Sequence, residues 1–214
     1  MKKALLIAGL VLIIICSYYL VVIVNARQKT EGIVHKALTS GRMKLELKDL
    51  SNEQFKALLK IEDPNFYHHK GYDFTTPGAG VTTISQALVK MYYFENFKPG
   101  LQKISQTLIS RFAFDNLTPK DTILKLFINE VYLGQNNGLP IKGFEGASNF
   151  YFNKTFSQLS WDKYLSILAM IIAPNTYRYS NHHEANQDRV ARIKRMLTGE
   201  YVPIDNSDLL YDRR

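Results

Sequence analysis

The chain has 214 residues with 13 tyrosines, 12 phenylalanines and no low-complexity tract, which favours a folded domain with a sizeable core and argues against disorder. Its one cysteine, Cys16, excludes an intrachain disulfide and a cysteine-based zinc site. The formal net charge of +8 suits an anionic membrane surface or a phosphate-bearing ligand, and because no nucleic-acid-binding motif accompanies it we expect no nucleic-acid partner.

The first predicted element is a transmembrane helix. Residues 4–24 carry no charged side chain, and at about 1.5 Å per residue they span roughly one hydrocarbon core. The alternative, a cleaved signal peptide, normally has a shorter apolar region of about 7–15 residues. Lys2 and Lys3 precede the apolar run almost without a tail, which favours an inside N-terminus. We expect a single-pass anchor in residues 1–29, with the domain outside.

Helical spacing also dominates the chain after the anchor. Residues 30–50 are interpreted as a polar connector with some helical spacing. Ser51 and Gln54 resemble a capping box that opens a helix towards Glu62. Residues 63–80 contain several glycines and prolines, so we expect turns and loops there.

The remaining pattern predicts a mainly α domain over residues 51–200, with no strand. The run 165–173 is too short to span a membrane and indicates a buried core helix. A tail, residues 201–214, follows, and its charged part from Asp205 is expected to fray. Loops are predicted at 96–100 and 136–140. Helices are predicted over 83–94, 101–114, a stretch capped by Thr118 with Pro119 in the first turn, 143–152, 160–173 and 184–198.

Two neighbouring motifs carry most of the chemical information. Glu62 and Asp63 open the first motif, and a turn rich in hydroxyl and amide groups, residues 80–86, opens a helix that reaches Lys90. A carboxylate followed by a polar helix start and a cation suits a phosphorylated sugar substrate. The first motif also contains Phe66, His69 and Gly71.

Five sequence blocks in order resemble the peptidoglycan glycosyltransferases, found in class A penicillin-binding proteins and in monofunctional membrane-anchored enzymes. The resemblance covers about residues 50–200. It implies a mainly α, lysozyme-like, two-lobed domain behind one N-terminal transmembrane helix, on the periplasmic or extracytoplasmic side of the bacterial inner membrane. The blocks are residues 62–71, 80–90, 102–106, 120–129 and 142–152.

The resemblance also implies a reaction. The 4-hydroxyl of an incoming lipid II attacks the anomeric carbon of a growing lipid-linked glycan strand with inversion, and undecaprenyl pyrophosphate leaves. A divalent metal, Mg²⁺ or Mn²⁺, is expected to assist, without an organic cofactor. The expected partners are lipid II, the glycan strand, the membrane, and transpeptidases or division proteins, because no transpeptidase domain is expected after residue 200.

Glu62 matches the catalytic base of that family. An attacking hydroxyl needs a base within hydrogen-bond reach, and the alternative interpretation of Glu62 is an ordinary acid at a helix end. Asp63 is expected to orient the loop, cap a helix or help bind metal, and His69 to brace the motif. Two histidine pairs, 68–69 and 182–183, lack matched metal-ligand spacing.

A pyrophosphate leaving group requires cations and hydrogen-bond donors. For each lysine that could supply a cation, the alternative is a solvated surface charge. The candidate substrate-binding residues, on the motifs that match, are Asp63, Thr82, Thr83, Ser85, Gln86, Lys90, Lys98 and Lys103.

The chain departs from the family pattern at three places. Alignment forward from Lys90 places Gln106 at the position of the family's second catalytic glutamate, and alignment backward from Ile123 places Thr107 there. Neither side chain can act as a carboxylate. Ala87 replaces the second glutamine of the second motif. Only eight residues separate Gly71 from Gly80, where the family has a longer segment.

These departures leave three hypotheses. The first is an active glycosyltransferase with an altered donor site, supported by Glu62, Lys90 and the polar turn. The second is a non-catalytic relative that binds lipid II, glycan or division partners, supported by Gln106. The third is a lysozyme-like hydrolase that uses Glu62 alone, and the nearby basic residues argue against it.

Overall fold

The computed structural model describes residues 1–213 and is mainly helical. This confirms the expected fold class, including the long apolar helix at its N-terminus. The helices are α1 Lys2–Leu38, α2 Asn52–Glu62, α3 Ile84–Tyr93, α4 Leu101–Ile109, α5 Asp115–Leu117, α6 Lys120–Glu130, α7 Gly143–Phe152, α8 Trp161–Ile171 and α9 His183–Thr198, with 3₁₀ turns at Leu47–Asp49 and Phe156–Gln158, a π-helical turn at Ser110–Phe114, and strands β1 Tyr132–Asn136 and β2 Leu139–Lys142.

Helix α1 contains the predicted anchor and is longer than expected. Its apolar half has a mean hydropathy of 2.8 over 18 residues, with none of that stretch buried, and the helix is long and apolar enough to cross a membrane. The helix continues to Leu38, so the first part of the predicted connector is helical. Ala26, Thr30 and Ala37 are buried against the domain, and this packing extends the helix through the polar sequence.

The polar half of α1 is fixed to the helices that follow. The Arg27 guanidinium donates hydrogen bonds to the carbonyl of Phe112 and to Oδ1 of Asn116. The Thr30 and Tyr93 hydroxyls are 2.7 Å apart. The anchor and the domain therefore form one packed unit at the point where the apolar run ends.

The predicted helix 101–114 contains a π-helical turn at Ser110–Phe114 and continues through α5 to Leu117. This turn directs Ser110 towards the first motif, where its Oγ donates to the carbonyl of Gly71 over 2.7 Å. A Cβ at position 71 would lie 2.6 Å from the Ser110 carbonyl oxygen, so only glycine fits there.

A β-hairpin corrects the prediction that the domain has no strand. Strands β1 and β2 pair antiparallel with Asn136 opposite Leu139, and Asn137 and Gly138 form the turn at φ values of 49° and 80°. An Asn-Gly pair in such a turn is the strongest short-range hairpin signal in a sequence. The strands lack a clean alternation of buried and exposed residues, which hid them from the periodicity argument.

Helices α6 and α8 form the centre of the core, as the apolar runs predict. The predicted cap at Thr118 is wrong: α6 begins at Lys120, Pro119 precedes it with ψ of 142°, and the buried Thr118 hydroxyl has no hydrogen-bond partner among residues 1–213. The fully buried side chains of the two helices include Ile123, Leu124, Leu126, Ile128, Leu165, Ile167 and Leu168.

The predicted tail is packed against the domain up to residue 213, and Arg214 lies outside the described residues. Tyr201, Asp208 and Tyr211 are buried, and the Tyr201 hydroxyl donates to the Asp208 carboxylate over 2.5 Å. The expectation of fraying is therefore wrong for these residues. Two buried tyrosines hold the segment although its composition is charged.

Helix α7 contains two glycines, one in a crowded and one in an open position. A Cβ on Gly143, which has φ of +68°, would lie 2.4 Å from the Asn129 carbonyl oxygen, whereas a Cβ on Gly146 meets nothing within 4 Å. We expect Gly143→Ala to lower the free energy of unfolding by roughly 2–4 kcal/mol. Gly146→Ala should instead raise it by about 0.5–1 kcal/mol, because alanine favours the helix. Chemical denaturation in detergent would measure both, and equal effects would contradict the described backbone.

Candidate active site

Glu62 is the last residue of α2, and local sequence places it there. The Ser51 hydroxyl accepts from the Gln54 backbone N–H at 3.2 Å, and the Gln54 side chain accepts from the Ser51 N–H at 2.8 Å. This capping box fixes where the helix begins. The next residue, Asp63, leaves the helical conformation at φ −161° and ψ 75°, so the helix ends with Glu62 at its tip.

The surroundings of Glu62 favour its neutral form. Burial is the main cause that raises its pKa, to about 8, and the neighbouring Asp63 carboxylate raises it further. The positive charge of Arg189 acts in the opposite direction. A carboxyl group with such a pKa can exchange a proton near neutral pH, which is the requirement for a general acid or base.

Asp63 differs from Glu62 because both oxygens of its buried carboxylate accept hydrogen bonds from other groups of the protein. It is 0% exposed and accepts hydrogen bonds from His69 Nε2 at 2.8 Å and from the Ile84 backbone N–H at 3.0 Å. His69 Nδ1 accepts from the Gly71 N–H at 3.1 Å, so Nε2 carries the proton that is donated to Asp63. Of the three expected roles for Asp63, these contacts support orienting the loop and capping α3.

Thr83 and Gln86 form the capping box that opens α3. The Thr83 hydroxyl accepts from the Gln86 N–H at 3.2 Å and donates to the carbonyl of Gly71 at 2.9 Å, while Gln86 Oε1 accepts from the Thr83 N–H at 3.1 Å. Gln86 Nε2 donates to the Thr107 hydroxyl at 2.9 Å. Both side chains are therefore directed inwards, and substrate binding by them stays a prediction.

Ser85 is also buried. Its hydroxyl donates to Asp115 Oδ2 at 2.6 Å, and the ammonium of Lys120 donates to the same oxygen at 2.8 Å. These two hydrogen bonds to Asp115 join α3 to α5 and α6. The predicted contact of Ser85 with substrate is likewise untested.

Two of the predicted cations lie close together on the outer side of α3 and α4. Lys103 Nζ donates to the Thr82 hydroxyl at 3.0 Å. Burial and the positive charge of Lys90 together lower the pKa of Lys103. Lys90 is exposed and its Nζ lies 5.5 Å from the centroid of the Phe97 ring. Neighbouring like charges favour an anion between them, and Lys98 is exposed on the following loop.

Gln106 lies between α3 and α4 and does not face solvent. It is 1% exposed, and its Nε2 donates to the Gln86 backbone carbonyl at 2.7 Å. Its Oε1 is buried without a hydrogen-bond partner among the described residues. The position predicted for a second acid is thus occupied by an uncharged side chain inside the domain.

No cluster of metal-ligating side chains is found in the described part of the chain. Residues 1–213 contain no group of three or more His, Cys, Asp or Glu side chains that could hold a metal ion. Both Asp63 oxygens are occupied by protein donors. The expected divalent metal stays a prediction.

Sequence reasoning missed three side chains around Glu62. Arg189 of α9 is 1% exposed, and Glu62 acts electrostatically on Arg189, Tyr164 and Tyr211. A signal for Arg189 was present, because it shares the apolar stripe of α9 with Ile193 and Met196, where a charged residue is unusual. No local pattern brings Tyr211 to this place.

Comparison with known families decides the classification. The family described as Transglycosylase matches residues 31–198, most of the domain. The chain belongs to this family of peptidoglycan glycosyltransferases. The helical fold and the order of the motifs agree with that membership, as the resemblance implied.

The similar curated proteins are much longer than this chain. Penicillin-binding protein 1B of Buchnera aphidicola subsp. Acyrthosiphon pisum is 33% identical over 135 residues, which cover 57% of this chain and 18% of that protein. Penicillin-binding protein 1B of Haemophilus influenzae is 28% identical over 186 residues, 80% and 24% respectively. Penicillin-binding protein 1B of Escherichia coli is 29% identical over 168 residues, which cover 72% of this chain and 19% of that protein. The chain thus matches less than a quarter of each relative's length.

Gln106→Glu tests whether a second acid can be restored at its family position. A carboxylate there would face the Gln86 carbonyl in a buried place, and we expect a loss of roughly 2–5 kcal/mol of stability at pH 7 without a gain of activity. Burial raises the pKa of such a carboxyl. The variant should therefore keep its stability at acidic pH, where the neutral acid donates to the Gln86 carbonyl, and lose it as the pH rises.

Gln102→Glu is the matched control one turn earlier on α4. Its Oε1 accepts from the Lys98 N–H at 2.6 Å, and a carboxylate preserves that acceptor. Thermal unfolding at pH 5 and pH 7 would compare the variants. A stable and more active Gln106→Glu protein would contradict the inward orientation of this side chain.

Glu62→Gln should stabilise the protein in alkaline solution. The folded pKa of about 8 lies above the ordinary value of 4.5, so the stability that Glu62 contributes is complete below pH 4.5 and is lost as pH rises through 8. Glutamine does not ionise. The free energy of unfolding of the variant should therefore be higher than that of the native protein by on the order of a few kcal/mol at pH 9, and equal to it at low pH. Glu53→Gln, at the exposed start of α2, is the control. Unfolding temperatures at both pH values decide, and a pH-independent difference would contradict the raised pKa.

Proposed function

We propose that this protein polymerises lipid II into glycan strands by inverting glycosyl transfer. The observation that carries the proposal is the position of Glu62: a carboxyl group with a pKa of about 8 at the tip of α2, next to Asp63, which caps α3. The polar turn that follows carries Thr82, whose hydroxyl accepts a hydrogen bond from Lys103, and Lys103 in turn lies within electrostatic range of Lys90. Membership in the transglycosylase family supports the same reaction.

Glu62 acts as the general base in this mechanism. Its carboxylate accepts the proton of the acceptor 4-hydroxyl while that oxygen bonds to the anomeric carbon of the donor. The bond from the anomeric carbon to the pyrophosphate oxygen breaks, and its electron pair leaves with undecaprenyl pyrophosphate. The stereochemistry inverts because one displacement occurs. Glu62 then releases the proton to solvent.

The leaving pyrophosphate is held by the lysine pair. Lys90 and Lys103 repel one another in the free protein, and this repulsion is relieved when an anion lies between them. The exposed Thr82 hydroxyl and Lys98 add donors on the same surface. The remaining predicted residues on α3 and its cap are Thr83, Ser85 and Gln86. They are buried, and their hydrogen bonds inside the domain hold the start of α3, and with it the exposed donors, in position.

A divalent metal, Mg²⁺ or Mn²⁺, enters this proposal with the substrate. Such cations bind phosphate oxygens and keep several waters, so they need few protein ligands. When bound, the metal neutralises charge on the pyrophosphate. The residues of this chain bind and orient the substrate and move the proton.

The reaction takes place at the membrane surface, with the domain on the extracytoplasmic side of the bacterial inner membrane. Lys2 and Lys3 favour a cytoplasmic N-terminus. Val22 of α1 already packs against the domain core, and Arg27 is bonded to the π-helical turn. Because these contacts begin where the apolar run ends, the domain is held against the bilayer, where the lipid-linked substrate and the growing strand are found. Transpeptidases or division proteins are the protein partners that we propose for this protein.

A second candidate is a non-catalytic member that binds lipid II. Buried Gln106, where the family has its second catalytic glutamate, is the observation that favours it. The two candidates differ in one measurable product, the glycan polymer.

The test uses the detergent-purified full-length protein, labelled lipid II and Mg²⁺ or Mn²⁺, with products resolved by gel. We expect polymer from the native protein and a loss of about 10²–10⁴-fold in Glu62→Gln, the contribution of a general base. The rate should fall as the pH is lowered below about 8, because the proton then occupies the Glu62 carboxyl.

Glu53→Gln, at the exposed start of α2 and outside the five blocks, is the control for removal of a glutamate charge. Polymer at equal rates from the native protein and Glu62→Gln would remove Glu62 as the base. Retained lipid II binding without polymer at any pH would establish the non-catalytic candidate. Release of soluble sugar fragments from existing glycan would indicate a hydrolase instead.

A further inference from the structure

Residues 203–213 form a segment that runs beside the short loop between the first two motifs. We name it the closing segment. The Gly78 N–H donates to the Asp205 carbonyl at 2.9 Å, and the Gly80 N–H donates to the Asn206 carbonyl at 2.8 Å. The Asn206 side-chain amide returns a bond to the Gly80 carbonyl at 2.7 Å. The loop that precedes the polar turn is therefore held by a segment far away in sequence.

The loop and the closing segment pack tightly at two glycines of the loop. A Cβ on Gly78 would lie 2.9 Å from Pro203 Cγ, and a Cβ on Gly80 would lie 3.0 Å from Leu209 Cδ2. Both glycines also have positive φ values, 75° and 70°. The shortness of this loop, which departs from the family pattern, is thus matched by a second segment that covers it.

Tyr211 is the deepest residue of the closing segment. It is 1% exposed, and its hydroxyl donates to the carbonyl of Ile61, the residue before Glu62, at 3.2 Å. Its backbone φ is 56°, a conformation that is an outlier for a bulky side chain. Such conformations persist where the surrounding packing determines them, and they concentrate at functional sites.

Arg189 connects Tyr211 to the rest of the domain. The guanidinium carbon lies 5.4 Å from the Tyr177 ring centroid and 5.5 Å from that of Tyr211, and Nη1 donates to the Leu209 carbonyl at 3.0 Å. Its Nε is buried without a hydrogen-bond partner among residues 1–213. A buried cation that retains an unused donor can stabilise a nearby carboxylate.

We propose that the closing segment is part of the active site, and that Tyr211 and Arg189 are positioning residues for Glu62. The proposal rests on the proposed function, in which Glu62 is the base. Tyr211 keeps water away from one side of Glu62 and fixes the last turn of α2 through Ile61. Arg189 balances the carboxylate in the state that accepts the proton.

Among residues 1–213, four charged or titratable groups that interact electrostatically with Glu62 come from different parts of the domain. They are Asp63 at the end of α2, Tyr164 of α8, Arg189 of α9 and Tyr211 of the closing segment. Tyr164 is held in place by a hydrogen bond from its hydroxyl to the Gln54 carbonyl at 2.7 Å. Asp63 is fixed by its hydrogen bonds with His69 and the Ile84 N–H, so Tyr211, in a segment without regular secondary structure, is the group most open to displacement.

Tyr211→Ala and Arg189→Met should move the titration of Glu62 in opposite directions. Opening the Tyr211 wall admits water, so the pKa of Glu62 falls from about 8 towards 4.5. Removing the Arg189 charge raises it above 8. The carboxyl resonance of ¹³C-labelled glutamate, assigned by its absence in Glu62→Gln, measures both shifts, and we expect each to be one pH unit or more.

The kinetic readout follows the same carboxyl. In Tyr211→Ala the acidic limb of the rate profile should shift to lower pH. The kcat of the plateau should fall by up to about tenfold, because a weaker base is used, with KM for lipid II nearly unchanged. Tyr211→Phe keeps the aromatic ring and loses only the hydrogen bond to the Ile61 carbonyl, so its profile should lie much closer to the native one than that of Tyr211→Ala. Leu210→Ala, which shortens an exposed neighbour, is the matched control.

Three results are decisive. Opposite shifts in the two variants, with Leu210→Ala unchanged, support the positioning role. A native titration in folded Tyr211→Ala, or a shift equal to that of Leu210→Ala, overturns it. If Tyr211→Ala does not fold, the sign of the shift in Arg189→Met decides. Because the titration needs no substrate, it remains informative if no polymer is made, and the failure of one proposal is distinguished from the failure of the other.

Discussion

The buried carboxylate of Asp63 joins the end of α2 to the beginning of α3, and the candidate site depends on this link. Its oxygens accept hydrogen bonds from His69 and from the Ile84 backbone N–H. A buried carboxylate is tolerated only when such donors compensate its lost hydration. Because Asp63 is fixed in this way, the adjacent Glu62 has a defined direction, and the polar turn begins beside it.

Two neighbouring carboxyl groups thus have different chemical roles because of their surroundings. Asp63 is satisfied by protein donors and holds structure together. Glu62 is influenced through space by Arg189 and Asp63, and burial raises its pKa to about 8. Separating the behaviour of two adjacent acids by environment is a general way to obtain both a rigid site and a reactive group.

The short loop between the first two motifs gains its order from the closing segment. Gly78 and Gly80 give their backbone donors to Asp205 and Asn206, and Tyr211 reaches the end of α2. The same glycines that make the loop compact also allow the segment to approach it. Loop length and the buried segment are therefore parts of one arrangement around Glu62.

The sequence by itself determined the elements with strong local signals: the apolar anchor, the capping box at Ser51, the start of a helix near Thr83, the helical stripes and the order of the motifs that contain Glu62 and Lys90. Local spacing could not reveal contacts between distant residues. Only the tertiary structure decided that α1 continues to Leu38, that Gln106 is directed inwards, and that Arg189 and Tyr211 surround Glu62. The physical reason is that burial and the resulting pKa of a carboxyl depend on segments more than a hundred residues apart, whereas caps and helical periods depend on neighbours within a few residues.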